Sequence, residues 1–141
     1  MSSRKYQETH ITTSSPMALV IMLYDEAIKA IEMAEEAFQI NDPSRIEKIG
    51  NHLLHAQDVI TELAVSLDME KGGEIAHHLH RLYDFMVVHL SKADVTKEIQ
   101  GVRDVHKMLC ELRQAWNEVA KQEVAGEEQP PRQRAMEINS T

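Results

Sequence analysis

Two adjacent glycines, Gly72 and Gly73, interrupt an apolar-periodic run in the middle of the chain. Glycine loses more backbone entropy than any other residue on entering a helix, so a tandem pair marks a turn and the start of a new element. The flanks agree with this. One amphipathic stretch ends near Leu67, and Ile75, Leu79, Leu82, Met86, Leu90 and Ala93 then resume at helical spacing. A chain broken in this way folds back on itself.

The same punctuation recurs elsewhere. Ser15-Pro16 opens a first helix, with serine as N-cap and proline where its missing N–H costs nothing. This helix runs to about Ile40, with its stripe at Leu19, Leu23, Ala27, Ala30, Ile31, Ala34 and Phe38. Asp42-Pro43 repeats the signature before a regular heptad of Ile46, Ile49, Leu53, Ala56, Ile60, Leu63 and Leu67. Asp94 is the expected N-cap of a fourth helix, whose seam is Val102, Val105, Leu109, Leu112, Trp116 and Val119.

Helices of roughly 21–26 residues span about 30–40 Å each, and connections of a few residues force neighbours antiparallel. The expected fold is therefore all-α, an antiparallel up-down-up-down four-helix bundle with an N-terminal capping segment. Residues 1–15 form that segment, polar but for Tyr6 and Ile11, and residues 16–124 form the bundle. From 125 to 141 the sequence turns to Glu127-Glu128, Pro130-Pro131 and mixed charge, which predicts a disordered tail.

Composition sharpens the reading. Apolar residues make up 43% of the chain but aromatics only 4%, so the core is aliphatic and alanine-rich, suited to close helix packing. A net charge of −8 repels phosphate backbones and anionic lipid, which argues against nucleic-acid and membrane partners. The single Cys110 excludes an intrachain disulfide and suits a reducing cytoplasm. No apolar run approaches the ~20 residues that span a bilayer. After Arg4 and Lys5, Gln7-Glu8-Thr9-His10 stands where a signal peptide would need an apolar stretch. The expected location is cytoplasmic.

One stretch exceeds the needs of a bundle. Residues 17–24, Met-Ala-Leu-Val-Ile-Met-Leu-Tyr, are apolar on every helical face, and Phe85, Val88 and Met108 sit off the main seams. Eight methionines add adaptable apolar surface. Two compatible readings follow. Either the N-terminal segment simply packs over this surface, or it is a displaceable cover over a site for another protein's helices.

Histidines supply the features that look chemical. His77 and His80, and His52 and His55, stand at i,i+3, a spacing that can place two ligands on one metal. Glu74-x-x-His77 matches half of a ferritin-like di-iron site, but no second Glu-x-x-His completes it, so no metal or other cofactor is expected. The adjacent carboxylates Asp25-Glu26 and Glu35-Glu36 point about 100° apart on a helix and form no shared-proton dyad. Without a nucleophile triad or phosphate loop, the chain is not expected to be an enzyme. Ala76-His77-His78-Leu79 resembles the phosphoacceptor string of histidine phosphotransfer domains, also four-helix bundles. Where that family has a lysine and a glycine, this chain has His80 and Arg81. Phosphotransfer through His77, or a generic helical adaptor, is the alternative reading.

A broader set of strings runs in order along the chain. It comprises Tyr6, Ser15-Pro16, Met22-Leu23-Tyr24-Asp25, Leu67-Asp68, Gly72-Gly73-Glu74-Ile75-Ala76, Leu82-Tyr83-Asp84, Leu112-Arg113 and Ala115-Trp116. Together, at these separations, they resemble the FliS family of flagellar secretion chaperones over roughly residues 6–121. The resemblance implies a chaperone that binds the disordered C-terminal segment of flagellin, prevents premature polymerisation and assists delivery to the flagellar type III export gate. It further implies that Tyr6 and Ile11 belong to a displaceable cover, and that Tyr24, Tyr83, Met86 and Leu90 contribute to the client groove. A homodimer of the free protein remains open. The chain departs from the family pattern at Glu26, where glycine is usual, at Asp94, where asparagine is usual, and at His78.

Overall fold

The computed structural model of the chain describes residues 16–127, with side-chain surroundings through Gln122. Four helices occur in order: α1 (Pro16–Phe38), α2 (Arg45–Val65), α3 (Gly73–Thr96) and α4 (Ile99–Glu127), with no strand among the described residues. Each helix packs against its neighbours in sequence, and α1 also packs against α4. The diagonal pairs α1–α3 and α2–α4 have no close backbone approach. With such short connections the result is the antiparallel up-down-up-down four-helix bundle that the periodicity predicts. The N-terminal segment that holds Tyr6 and Ile11 lies outside the described residues, as do residues 128–141. Helix α4 continues past the expected end near Val124 to Glu127.

The core is the aliphatic one that the composition requires. Ile31, Ile49, Leu53, Ile60, Leu63, Met86, Leu90, Val102, Val105 and Leu109 are fully buried. Buried alanines at 27, 30, 34, 37, 56 and 93 let the helices approach closely. Three residues assigned to the seams are instead exposed: Ile46 at 55%, Ile75 at 73% and Val119 at 41%. Ile46 and Val119 lie near a helix end, where the heptad continues past the cover that its neighbours provide. Ile75 stands at the rim of an open hollow between α3 and α4.

Two helix boundaries also differ from expectation. Asp94 does not cap α4, because α3 runs on to Thr96 and Asp94 sits in its last turn. There its carboxylate accepts from Lys97 Nζ at 2.6 Å. The helix stops at Lys97, whose left-handed φ of 56° lets its N–H reach the Ala93 carbonyl at 2.8 Å. Asp42 likewise precedes α2 by a turn. Its carboxylate accepts from the Ser44 N–H at 2.8 Å, and the helix begins at Arg45. The bonds from Ser44 hold the Asp42 carboxyl below its ordinary range.

The two glycines are needed for different reasons. A Cβ on Gly72 would stand 2.5 Å from Ala76 Cβ and 2.7 Å from the Asp68 carbonyl oxygen, so the chain has no room for a side chain there. Gly73 has open space around it but a φ of +56°, which L side chains disfavour. Replacing Gly73 with alanine is therefore expected to cost about 1 kcal/mol, read as a lower denaturation midpoint at unchanged m-value. An unchanged midpoint would mean that this turn relaxes freely.

Candidate partner-binding surface

The bundle closes its core without using all of its large apolar side chains. Among the described residues Leu54, Val65, Phe85, Val88 and Val95 are each at least half exposed, and all five lie on α2 or α3. Their spacing explains this. Val88 and Val95 are seven apart and keep to one face of α3, displaced from the core stripe of Leu79, Tyr83, Met86, Leu90 and Ala93. On α2, Leu54 and Val65 are eleven apart and again share a face, outside the stripe of Leu53, Ala56, Ile60 and Leu63.

Of these, Val88 and Val95 line hollows along the α2–α3 seam. One hollow of about 470 Å³ is lined by Gln57, Val87, Val88, Ser91, Lys92 and Val95. A second, of about 350 Å³, includes Ile60, Ala64, Tyr83, Val87 and Val88. The two share Val87 and Val88 and so form one continuous apolar track. A smaller hollow of about 330 Å³ lies between α1 and α2, at Leu19, Leu23 and Val65. The half-buried side chains of residues 17–22 stand at this end of α1.

The residues named from sequence for the groove lie behind it. Tyr24, Tyr83, Met86 and Leu90 are 0%, 1%, 0% and 0% exposed. They belong to the core stripes that face the bundle axis, and Tyr83 also floors a hollow. Tyr24 on α1 and Tyr83 on α3 meet across the bundle diagonal, hydroxyl to hydroxyl at 2.5 Å with ring centroids 6.4 Å apart. Burial raises the pKa of both phenols, and the Trp116 indole only partly opposes this. Phe85 and Val88 carried an off-seam signal in the sequence. Leu54, Val65 and Val95 carried none, because an exposed aliphatic residue on a helix is ordinary until its neighbours are known.

The charged periphery ties helices together. Arg113 Nε on α4 donates to Asp25 Oδ1 on α1 at 2.8 Å, and this bond raises the guanidinium pKa further. Glu26 accepts from His55 Nε2 across α1 and α2 at 3.1 Å. His89 Nε2 lies 3.2 Å from Asp104 across α3 and α4, and its ring stacks on Phe85 with centroids 5.0 Å apart. His106 Nδ1 lies 2.8 Å from Glu35 across α4 and α1. Of the histidines at ligand spacing, His55 bridges α2 to α1, and no group of three metal-ligating side chains forms among the described residues. His77 is exposed and donates from Nδ1 to the Gly73 carbonyl at 2.8 Å. Cys110 is exposed, and partial burial with nearby Glu32, Glu35 and Glu111 raises its pKa, which favours the less reactive thiol. No helix among the described residues is long and apolar enough to cross a membrane.

Known proteins share this sequence plan closely. The family described as "Flagellar protein FliS" matches residues 1–123. The chain belongs to the FliS family. It is 34% identical over 113 residues to the flagellar secretion chaperone FliS of Vibrio cholerae, covering 79% of this chain and 80% of the relative. The FliS of Salmonella typhimurium is 32% identical over 114 residues, covering 80% and 82%. That of Campylobacter jejuni is 30% identical over 122 residues, covering 86% and 93%. Membership in a family of flagellar secretion chaperones supports a non-enzymatic role and leaves the phosphotransfer alternative resting on one short string around His77. FliS-family membership also frames the departure at position 26. The glutamate that replaces the usual glycine points outward and bonds to His55, so it leaves the core undisturbed.

Proposed function

We propose that this protein is a cytoplasmic export chaperone that binds the disordered C-terminal segment of flagellin, prevents its premature polymerisation and assists its delivery to the flagellar type III export apparatus. The observation that carries this reading is the apolar α2–α3 track lined by Val87, Val88 and Val95, on a bundle whose core is already complete. An amphipathic helix laid in such a track presents anchors at i, i+3, i+4 and i+7, which suits a segment that folds as it binds. Ordering that segment costs about 2–5 kcal/mol, so apolar burial must exceed this cost. Tyr6 and Ile11 belong to a cover that yields to the client. Tyr24, Tyr83, Met86 and Leu90 set the position of the groove walls from inside the core. A second copy of the chain is the competing occupant in the free protein.

The reading is tested by seeding flagellin polymerisation with and without this chain and following light scattering. Equimolar chain is expected to suppress filament growth, and flagellin truncated at its C-terminus is expected to lose the one-to-one complex. Growth at an undiminished rate in the presence of folded chain would refute the proposal.

A further inference from the structure

An open hollow of about 880 Å³ lies on the α3–α4 seam, away from the α2–α3 track. Ile75, Leu79, Leu82 and Leu112 make it apolar, and Ile75 is 73% exposed. Its rim carries Glu74 and Arg81, neither of which forms an ion pair among the described residues. Helix α4 continues from Leu112 to Glu127, about 22 Å at 1.5 Å per residue. The sequence that follows carries Pro130-Pro131, which cannot continue a helix, then Arg132, Arg134, Met136, Glu137 and Ile138.

We propose that residues 132–138 fold back from the end of α4 and occupy the α3–α4 hollow, with Met136 and Ile138 covering Ile75, Leu79, Leu82 and Leu112. Reach permits it. Met136 stands nine residues past Glu127 and reaches about 30 Å at ~3.3 Å per residue, more than the return distance. Charge order favours it as well. A segment returning from that end runs in the same direction as α3, so Arg134, on the same face of an extended chain as Met136 and Ile138, meets Glu74. Met136 and Ile138 stand about 7 and 13 Å past Arg134 in an extended chain, and Leu79 and Leu82 stand about 8 and 12 Å past Glu74 along α3. These residues lie beyond the 1–123 span of the family match, so the contact is a property of this chain and not of the shared bundle. Its consequence is a self-covered surface that a partner must compete for. The inference does not depend on which partner that is.

The test is methyl NMR on the full chain and on its M136S/I138S variant. The methyl resonances of Ile75, Leu79, Leu82 and Leu112 are expected to shift between the two, at all protein concentrations, while those of Val88 and Val95 stay in place. Glu74→Arg is expected to produce the same shifts, and Glu74→Arg with Arg134→Glu to reverse them. Unmoved Ile75, Leu79, Leu82 and Leu112 resonances would overturn the proposal. Shifts that depend on concentration would also overturn it, because the hollow would then be filled by another copy's tail.

Discussion

Replacing Tyr24 with phenylalanine is expected to destabilise the bundle by about 1–3 kcal/mol, and replacing Tyr83 by a similar amount, while the double replacement costs less than either alone. Each single change removes one partner of a 2.5 Å hydrogen bond and leaves the other buried hydroxyl with only the Trp116 indole beside it. The double change removes both polar groups and keeps the ring volume. Tyr24 and Tyr83 join helices that otherwise have no close backbone approach, so the pair also fixes the register of α1 against α3 across the axis. Urea denaturation of the four proteins measures the coupling, and additive losses would mean that the hydroxyls act independently.

The same pair sets a pH dependence. Burial raises both phenols above their ordinary value near 10, so the folded chain keeps these protons where the unfolded chain releases them. Their contribution is intact below about pH 10 and is lost above it, at roughly 1.4 kcal/mol per pH unit for each tyrosine held protonated. The Y24F/Y83F protein is expected to lose less stability between pH 10 and 11 than the wild type. Equal losses would place the titrating groups elsewhere.

The second large effect concerns binding. Changing Val88 and Val95 together to glutamate is expected to weaken capture of the flagellin C-terminal segment by about 100-fold or more, because two buried anchors become charges that must desolvate. Folding stability should move by no more than about 0.5 kcal/mol per site, since the two side chains are 66% and 83% exposed. Glutamate substitution at the buried Met86 or Leu90 would also abolish binding, but by unfolding the bundle. Affinity therefore has to be read beside the denaturation midpoint. Retained affinity in a folded V88E/V95E protein would move the binding surface off the α2–α3 track.

The contrast between exposed Val88 and buried Met86 shows what was legible in the sequence. The heptads placed the core correctly through Ile49–Leu63 and Val102–Leu109, because a seam needs apolar residues at a fixed period and loops this short permit one topology. The glycine pair was legible as a turn, although its two separate causes required coordinates: a close approach at Gly72 and a positive φ at Gly73. Asp94 misled, because an aspartate in a helix's last turn and one at an N-cap are alike until the left-handed residue at Lys97 is seen. The groove was the least legible part. Tyr24, Tyr83, Met86 and Leu90 are buried in the core stripes, and a conspicuous motif residue is not thereby a surface residue. Val95 lines a hollow only because α2 and α3 lie side by side.

The most direct measurement is calorimetric titration of the full chain with a peptide spanning the C-terminal region of flagellin, at several temperatures. The account predicts one-to-one binding with a large negative heat-capacity change, the mark of apolar burial coupled to folding of the peptide. No heat of binding at any temperature, from a chain shown to be folded, would contradict it.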